Sequence, residues 1–164
     1  MKKSTNPSKG TCEIRNKKIF HDYFVGEKFE AGIVLLGPEV KSLRMGHAQI
    51  SDSFVRPNRA GELFLYNVNI AEYKFCEPDE YNCTRPRKLL LHSSEIRKLL
   101  FAMEREKMSV LPLKIFFKGG LVKVNIAICK GKKLFDKREI LKKKEAFRET
   151  ERAIASQMRN SNGR

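Results

Sequence analysis

Residues 113–128, LKIFFKGGLVKVNIAI, leave few ways for the chain to fold. Leu113, Ile115 and Phe117 alternate with Lys114, Phe116 and Lys118. Gly119-Gly120 then makes a turn, and Val122, Val124, Ile126 and Ile128 return at the same spacing. A period of two puts the apolar set on one face of a pleated strand, and paired glycines supply the positive φ of a two-residue hairpin turn. The segment therefore predicts an antiparallel hairpin, buried on one face, with Lys114, Lys118 and Lys123 on the other. A lone hairpin is marginal in water, so the apolar face needs further strands or a helix.

The rest of the chain offers them. Residues 21–25 read as a short capped turn or helix leading into a first strand. Residues 29–35 alternate, with Phe29, Ala31, Ile33 and Leu35 on one face and Glu30 on the other, where a solvated acid is the ordinary outcome. Gly37-Pro38-Glu39 opens a short helix that stops at Gly46, with Val40 and Leu43 inward and Lys41 and Arg44 outward. Residues 50–57 and 62–70 read as two strands joined by a turn, and Leu89-Leu90-Leu91 as a short buried strand. His92 or Ser93 caps a second helix, whose apolar stripe is Ile96, Leu99, Leu100 and Met103. About six mostly antiparallel strands and two helices predict a mainly β chain. The expected architecture is a small closed OB-like barrel with short flanking helices.

Charge divides the chain differently from hydropathy. The net charge is +15, of which residues 1–18 carry +5, residues 19–129 carry +3 and residues 130–164 carry +7. Residues 1–15 read as a disordered basic arm, 16–129 as the barrel and 130–164 as a basic tail. A nearly neutral body with two cationic ends points to a polyanion, because each Lys or Arg placed on phosphate releases condensed counterions. A merely basic soluble surface is the bland alternative. Within residues 130–144 eight Lys or Arg face two acids. Lys130, Gly131, Lys132 and Lys133 read as an extended flexible linker. Helix formers follow, with Ile140, Phe147, Ile154 and Met158 in one narrow stripe. The tail is expected to be disordered when free and helical on a partner, with Leu134 or Phe135 able to stack on a base. Docking back on the barrel is the alternative. A membrane surface is less favoured, since the stripe is narrow, tryptophan is absent and five acids interrupt it.

Several chemistries find no support. No stretch of about 18 apolar residues suggests a membrane span, and residues 1–18 lack the apolar block of a secretory signal. Cys12, Cys76, Cys83 and Cys129 lack zinc-ligand spacing. They read as free thiols in a reducing cytosol, with a Cys76–Cys83 bridge or metal site less favoured. No phosphate loop, dinucleotide turn or nucleophile motif occurs, and the acids Glu77, Asp79 and Glu80 read as a solvated cluster. No cofactor or catalytic residue is assigned. The long polar connection 72–86, closed by Arg85, Arg87 and Lys88, is a candidate contact loop.

Six stretches carry a resemblance: NKKIFHDYF at 16–24, FEAGIVLLGPEVKSLRMG at 29–46, ISDSFV at 50–55, RPRKLLLH at 85–92, VKV at 122–124 and KGKKLFDKRE at 130–139. In this order they resemble the small protein B (SsrA-binding protein) family, the tmRNA-binding proteins of bacterial ribosome rescue. The resemblance implies an OB-type barrel that binds the tRNA-like domain of tmRNA. It also implies a tail that becomes helical in the vacant mRNA path near the decoding centre of a stalled ribosome. Glu30, Leu90, His92 and Lys123 are the implied tmRNA contacts. Glu30 is thereby recast as an acceptor for base amino groups or the 2′-OH, or as the orienter of a neighbouring lysine. Lys130, Gly131, Lys132, Lys133, Phe135, Asp136, Lys137 and Arg138 match the decoding-centre segment; Phe135 keeps a stacking ring where relatives carry His or Tyr. The expected protein is a cytoplasmic, monomeric, non-enzymatic adaptor with tmRNA, ribosome and rRNA as partners. A constitutive rRNA-binding ribosomal or assembly protein is the alternative.

Overall fold

A computed structural model describes residues 12–73 and 82–132. In chain order the elements are β1 (Ile14–Arg15), α1 (Ile19–Asp22), β2 (Tyr23–Ile33), α2 (Gly37–Arg44), β3 (Ala48–Gln49), β4 (Phe54–Pro57), β5 (Leu63–Tyr66), β6 (Asn69–Ile70), β7 (Arg87–Leu90), α3 (Ser93–Glu104), β8 (Ser109–Lys118) and β9 (Leu121–Gly131). The hairpin forms as its alternation predicts: β8 and β9 pair from Ser109–Cys129 to Lys118–Leu121, and Gly119 and Gly120 both hold positive φ, 58° and 79°.

The antiparallel order β8-β4-β5-β7-β2-β9, closed by β9 returning to β8, makes a six-stranded barrel. One edge of β8 serves two neighbours, β1 at Ile115 and Lys114 and β4 at Val110. Strands β3 and β6 form a separate small sheet. This is the mainly β, OB-like architecture that the strand pattern predicts. Closure removes exposed sheet edges, so the barrel interior can be wholly apolar. Ala31, Val124, Ile115 and Ile14 lie side by side across β2, β9, β8 and β1 and line that interior, with Leu43, Leu65 and Leu99 closing it.

Two bulges, at Val25–Lys28 and Pro112–Lys114, shift the register of β2 and β8 against β9. An extra residue re-aims every side chain beyond it. The extra residue in β8 takes Leu113 off the inner face expected for it beside Ile115 and Phe117; with Leu111, and with Ala127 and Cys129 on the outer side of β9, it forms a second apolar cluster with Ile19 of α1. Two clusters on opposite faces of one strand explain why Val110, Leu111, Pro112 and Leu113 are all buried.

Some boundaries differ from expectation, for local reasons. The first strand begins at Tyr23, six residues early, because its start pairs with the end of β9. Residues 50–53 turn instead of extending, with the Ser53 hydroxyl donating to the Ile50 carbonyl at 2.6 Å. The expected strand 62–70 breaks into β5 and β6 at Asn67, whose φ is 56°. β1 lies inside the span read as a disordered arm. Lys130 and Gly131, read as linker, are strand residues opposite Phe24 and Tyr23. The chain divides after Gly131 into two units, Met1–Gly131 and Lys132–Arg164. Lys133, Phe135, Asp136, Lys137, Arg138, the tail helix, Cys76 and the 77–80 acids lie outside the described residues. Among the described residues no helix is long and apolar enough to cross a membrane.

Candidate nucleic-acid interface

Directly opposed residues of an antiparallel ladder project from the same face. Gly32 of β2 faces Leu90 of β7 on one side and Lys123 of β9 on the other. Three neighbouring strands thus carry Leu90, Gly32 and Lys123 in one transverse row on the outer face, opposite the buried Ala31, Leu89 and Val124. One pleat along, Glu30 faces Asn125, and Asn125 faces Lys114. Strand spacing of about 5 Å puts these groups within the span of a nucleotide or two.

Leu90 corrects the apolar-run reading. A run of three leucines fits a strand buried on both sides, yet only Leu89 of β7's pair is buried and Leu90 is 53% exposed. Gly32 shapes the same place. A Cβ there would stand 3.2 Å from the Leu90 Cβ, so the glycine gives Leu90 room to lie across the row.

Lys123 makes no side-chain hydrogen bond or ion pair among the described residues, and its ammonium is available to an anion. Glu30 is differently placed. Lys118 donates to both its oxygens, at 2.9 and 3.0 Å, so the lysine that Glu30 orients is Lys118. Both side chains are well exposed, and such a pair contributes no more than about 1 kcal/mol. It can open for a ligand at little cost. Lys114 is likewise held, 2.6 Å from Glu13. Hydrogen bonds from Arg15 and then Lys114 hold the Glu13 carboxyl below its ordinary range.

His92 sits at the N-cap of α3, but its ring makes no capping bond. The Glu95 carboxylate accepts from the His92 N–H at 2.9 Å, which leaves the exposed ring outward at the end of β7. Glu30, Leu90, His92 and Lys123 are thus all exposed or half-exposed, on β2, β7, the β7–α3 junction and β9. Among the described residues no three His, Cys, Asp or Glu groups assemble a metal site.

The basic cluster at 85–88 divides two ways. Lys88 pairs with Glu62 across β5 and β7. Arg85 and Arg87 turn inward to Glu39 of α2, which is fully buried: Arg85 Nε and Arg87 Nε each reach Oε1 at 2.9 Å, and Arg85 Nη2 reaches Oε2 at 2.5 Å. Arg87 is itself fully buried, and its remaining N–H groups donate to the carbonyls of Val68, Arg85 and Cys83. Arg87 is therefore a structural clamp, not the loop contact its neighbourhood suggested. Sequence reasoning missed this cluster. The available signal was the i, i+2 spacing of Arg85 and Arg87, which puts both on one side of an extended segment.

The family profile described as SmpB protein matches residues 13–156. The chain belongs to the SmpB family. Its relatives include the SsrA-binding protein of Geobacter metallireducens, 52% identical over 85% of this chain and 90% of the relative. That of Pelobacter propionicus is 51% identical over 88% and 94%, and that of Shouchella clausii 49% identical over 93% and 97%. A solved structure described as "tmRNA-SmpB: a journey to the center of the bacterial ribosome" superposes with a TM-score of 0.64 at 40% identity, covering 79% of this chain and 94% of its own.

Proposed function

We propose that this chain is an RNA-binding adaptor of trans-translation. The outer face of the barrel binds the tRNA-like domain of tmRNA, and the protein accompanies that RNA to stalled ribosomes in the cytoplasm. Residues 130–164 then occupy the empty mRNA path near the decoding centre, and no step requires catalysis by the protein. The observation that carries this reading is the row Leu90–Gly32–Lys123. An exposed apolar side chain, a glycine seat and an uncommitted ammonium stand side by side on neighbouring strands. Lys123 supplies phosphate neutralisation, Leu90 an apolar surface for a ribose or base, and Glu30 and the His92 ring polar partners for base edges and the 2′-OH. The SsrA-binding relatives and the ribosome-bound structural neighbour support the same assignment.

RNA crosslinking in cells, read together with ribosome occupancy, tests it. The expected result is tmRNA as the main crosslinked transcript and protein only on stalled ribosomes. Steady occupancy of all ribosomes with rRNA alone would replace the adaptor with a ribosomal or assembly protein.

A further inference from the structure

Phe116 stands on the outer face of β8, with Lys114 two residues before it and Lys118 two residues after. Its neighbours in sequence, Ile115 and Phe117, pack with the barrel core, whereas Phe116 packs with neither apolar cluster. Across the ladder it faces Lys123. The row described above therefore continues one strand further, as Leu90–Gly32–Lys123–Phe116. The Lys114 ammonium lies 4.8 Å from the ring centroid, and Lys118 reaches the other way to Glu30. A half-buried aromatic ring that belongs to neither apolar cluster is thus set among three lysines. That is how surfaces for unpaired nucleotides are built: cations follow the backbone, and a ring offers its face to a base.

We propose that Phe116 is a base-stacking residue of the RNA surface, which therefore crosses β9 onto β8. The inference rests on the RNA-binding function proposed above. Its ligand is an unpaired nucleotide, since a base inside a duplex has no free face to offer. The Cα atoms of Lys114 and Lys118 flank that of Phe116 about 7 Å away along the strand. On binding they exchange Glu13 and Glu30 for phosphate oxygens, and Lys123 adds a contact that it need not first break elsewhere.

The test uses the full chain and a transcript of the tRNA-like domain with its loops unpaired. Phe116→Leu keeps apolar bulk and removes the π face; Phe116→Tyr keeps both. Phe101→Leu is the control, a ring 58% exposed on α3 and outside the row. Phe116→Leu is expected to weaken binding by about 5- to 150-fold, the span of one lost base–aromatic stack. Its thermal midpoint and the salt dependence of its binding should stay as in the parent. Phe116→Tyr and Phe101→Leu should bind within about twofold of the parent. If Phe116→Leu binds normally while Lys123→Ala is weakened, the stacking role falls and the RNA surface stands. If both bind normally, that surface itself is wrong. A loss accompanied by a lower midpoint, or a Tyr variant as weak as the Leu variant, makes Phe116 a packing residue and also overturns the inference.

Discussion

Glu39→Gln should cost the barrel a large part of its stability, although it changes one oxygen to an amide. The Glu39 carboxylate takes hydrogen bonds from Arg85, Arg87 and the Leu36 N–H, the last at 2.7 Å, and it is fully buried, as is Arg87. Gln presents an NH2 group to guanidinium donors and leaves Arg87 as a buried charge without a counter-ion. Breaking a buried pair in this way costs about 3–5 kcal/mol, against a total of roughly 5–15 kcal/mol for a small domain. With a urea dependence near 2 kcal/mol per molar, the midpoint should fall by about 2 M. Equilibrium urea unfolding at pH 7 measures it, with Glu62→Gln as control. The Glu62–Lys88 pair leaves both side chains 41% exposed and screened by solvent, and its loss should cost far less. The pH dependence gives a second readout. Burial pushes the Glu39 carboxyl up, but the hydrogen bonds from Arg85 and Leu36 and the charges of Arg87 and Arg85 outweigh it, so it titrates below its ordinary value of 4.5. Its contribution is therefore complete above about pH 4.5 and is lost as the pH falls from there through the lowered folded value. Parent and Glu39→Gln curves should converge in acid. A Glu39→Gln shift no larger than that of Glu62→Gln would refute the claim that burial makes this cluster a clamp.

Lys123→Ala should weaken binding of the tRNA-like domain and reduce the slope of log K against log salt by roughly 0.9; an unchanged slope removes Lys123 from the phosphate interface. Gly32→Ala should lower the thermal midpoint modestly, because the new Cβ would stand 3.2 Å from the backbone-fixed Leu90 Cβ and β2 and β7 must part by a few tenths of an ångström. The same change should lower RNA affinity by displacing Leu90, and parent-like binding would separate Leu90 from the interface. Deleting residues 132–164 should preserve the midpoint and RNA binding while abolishing peptide tagging on stalled ribosomes. Deleting from 130 should also lower the midpoint, since Lys130 and Gly131 pair with β2; equal midpoints for the two truncations would make that end of β9 dispensable. Cys129, 1% exposed with its thiol pushed up to about 11 by burial, should resist iodoacetamide at pH 8 while the half-buried Cys12 reacts. Equal rates, read by mass spectrometry, would contradict the burial.

How much could be read from the residues depended on whether local pattern decided the outcome. The β8–β9 hairpin was legible from Ile115 to Ile128, where its alternation, its glycines and its burial all agree, whereas Leu113, read on the inner face, falls at the bulge and packs on the other. The two helices were legible from Pro38, Glu95 and the stripe through Leu99 for the same reason. Residues 87–90 were not. Leu90 is apolar and exposed while Arg87 is charged and buried, so hydropathy misassigns both. What places them is tertiary: Glu39, 48 residues away, supplies the charge that lets Arg87 go inward, and that fixes which alternate residues of β7 face out. The bulges were equally hidden, because an extra residue in β8 has no signature beyond four buried residues in succession. The row Leu90–Gly32–Lys123 is a matter of register between three strands distant in sequence. Only the family resemblance brought Leu90 and Lys123 together before the pairing was seen.

The same distribution of acids explains how a nearly neutral barrel can still select RNA. Net charge counts every lysine alike, but a phosphate responds to the ammonium groups that are left uncommitted and to where they stand. Glu39 consumes Arg85 and Arg87 in the interior, Glu62 holds Lys88, Glu27 holds Lys98, and Glu13 bridges Arg15 and Lys114. Each pairing removes a cation from the pool that would bind any polyanion indiscriminately. On the β2–β9–β8 face the cations left over among the described residues include Lys123, beside a glycine and between an exposed leucine and a phenylalanine. Binding through such a site requires a phosphate at one defined distance from an unstacked base or ribose, a demand that a folded RNA with open loops meets and a uniform duplex does not. If the acids of the barrel tune selectivity in this way, neutralising Glu13 or Glu30 should raise affinity for duplex RNA more than for the tRNA-like domain. Competition between the two RNAs at fixed salt measures this, and an equal gain for both would return the acids to a purely structural role.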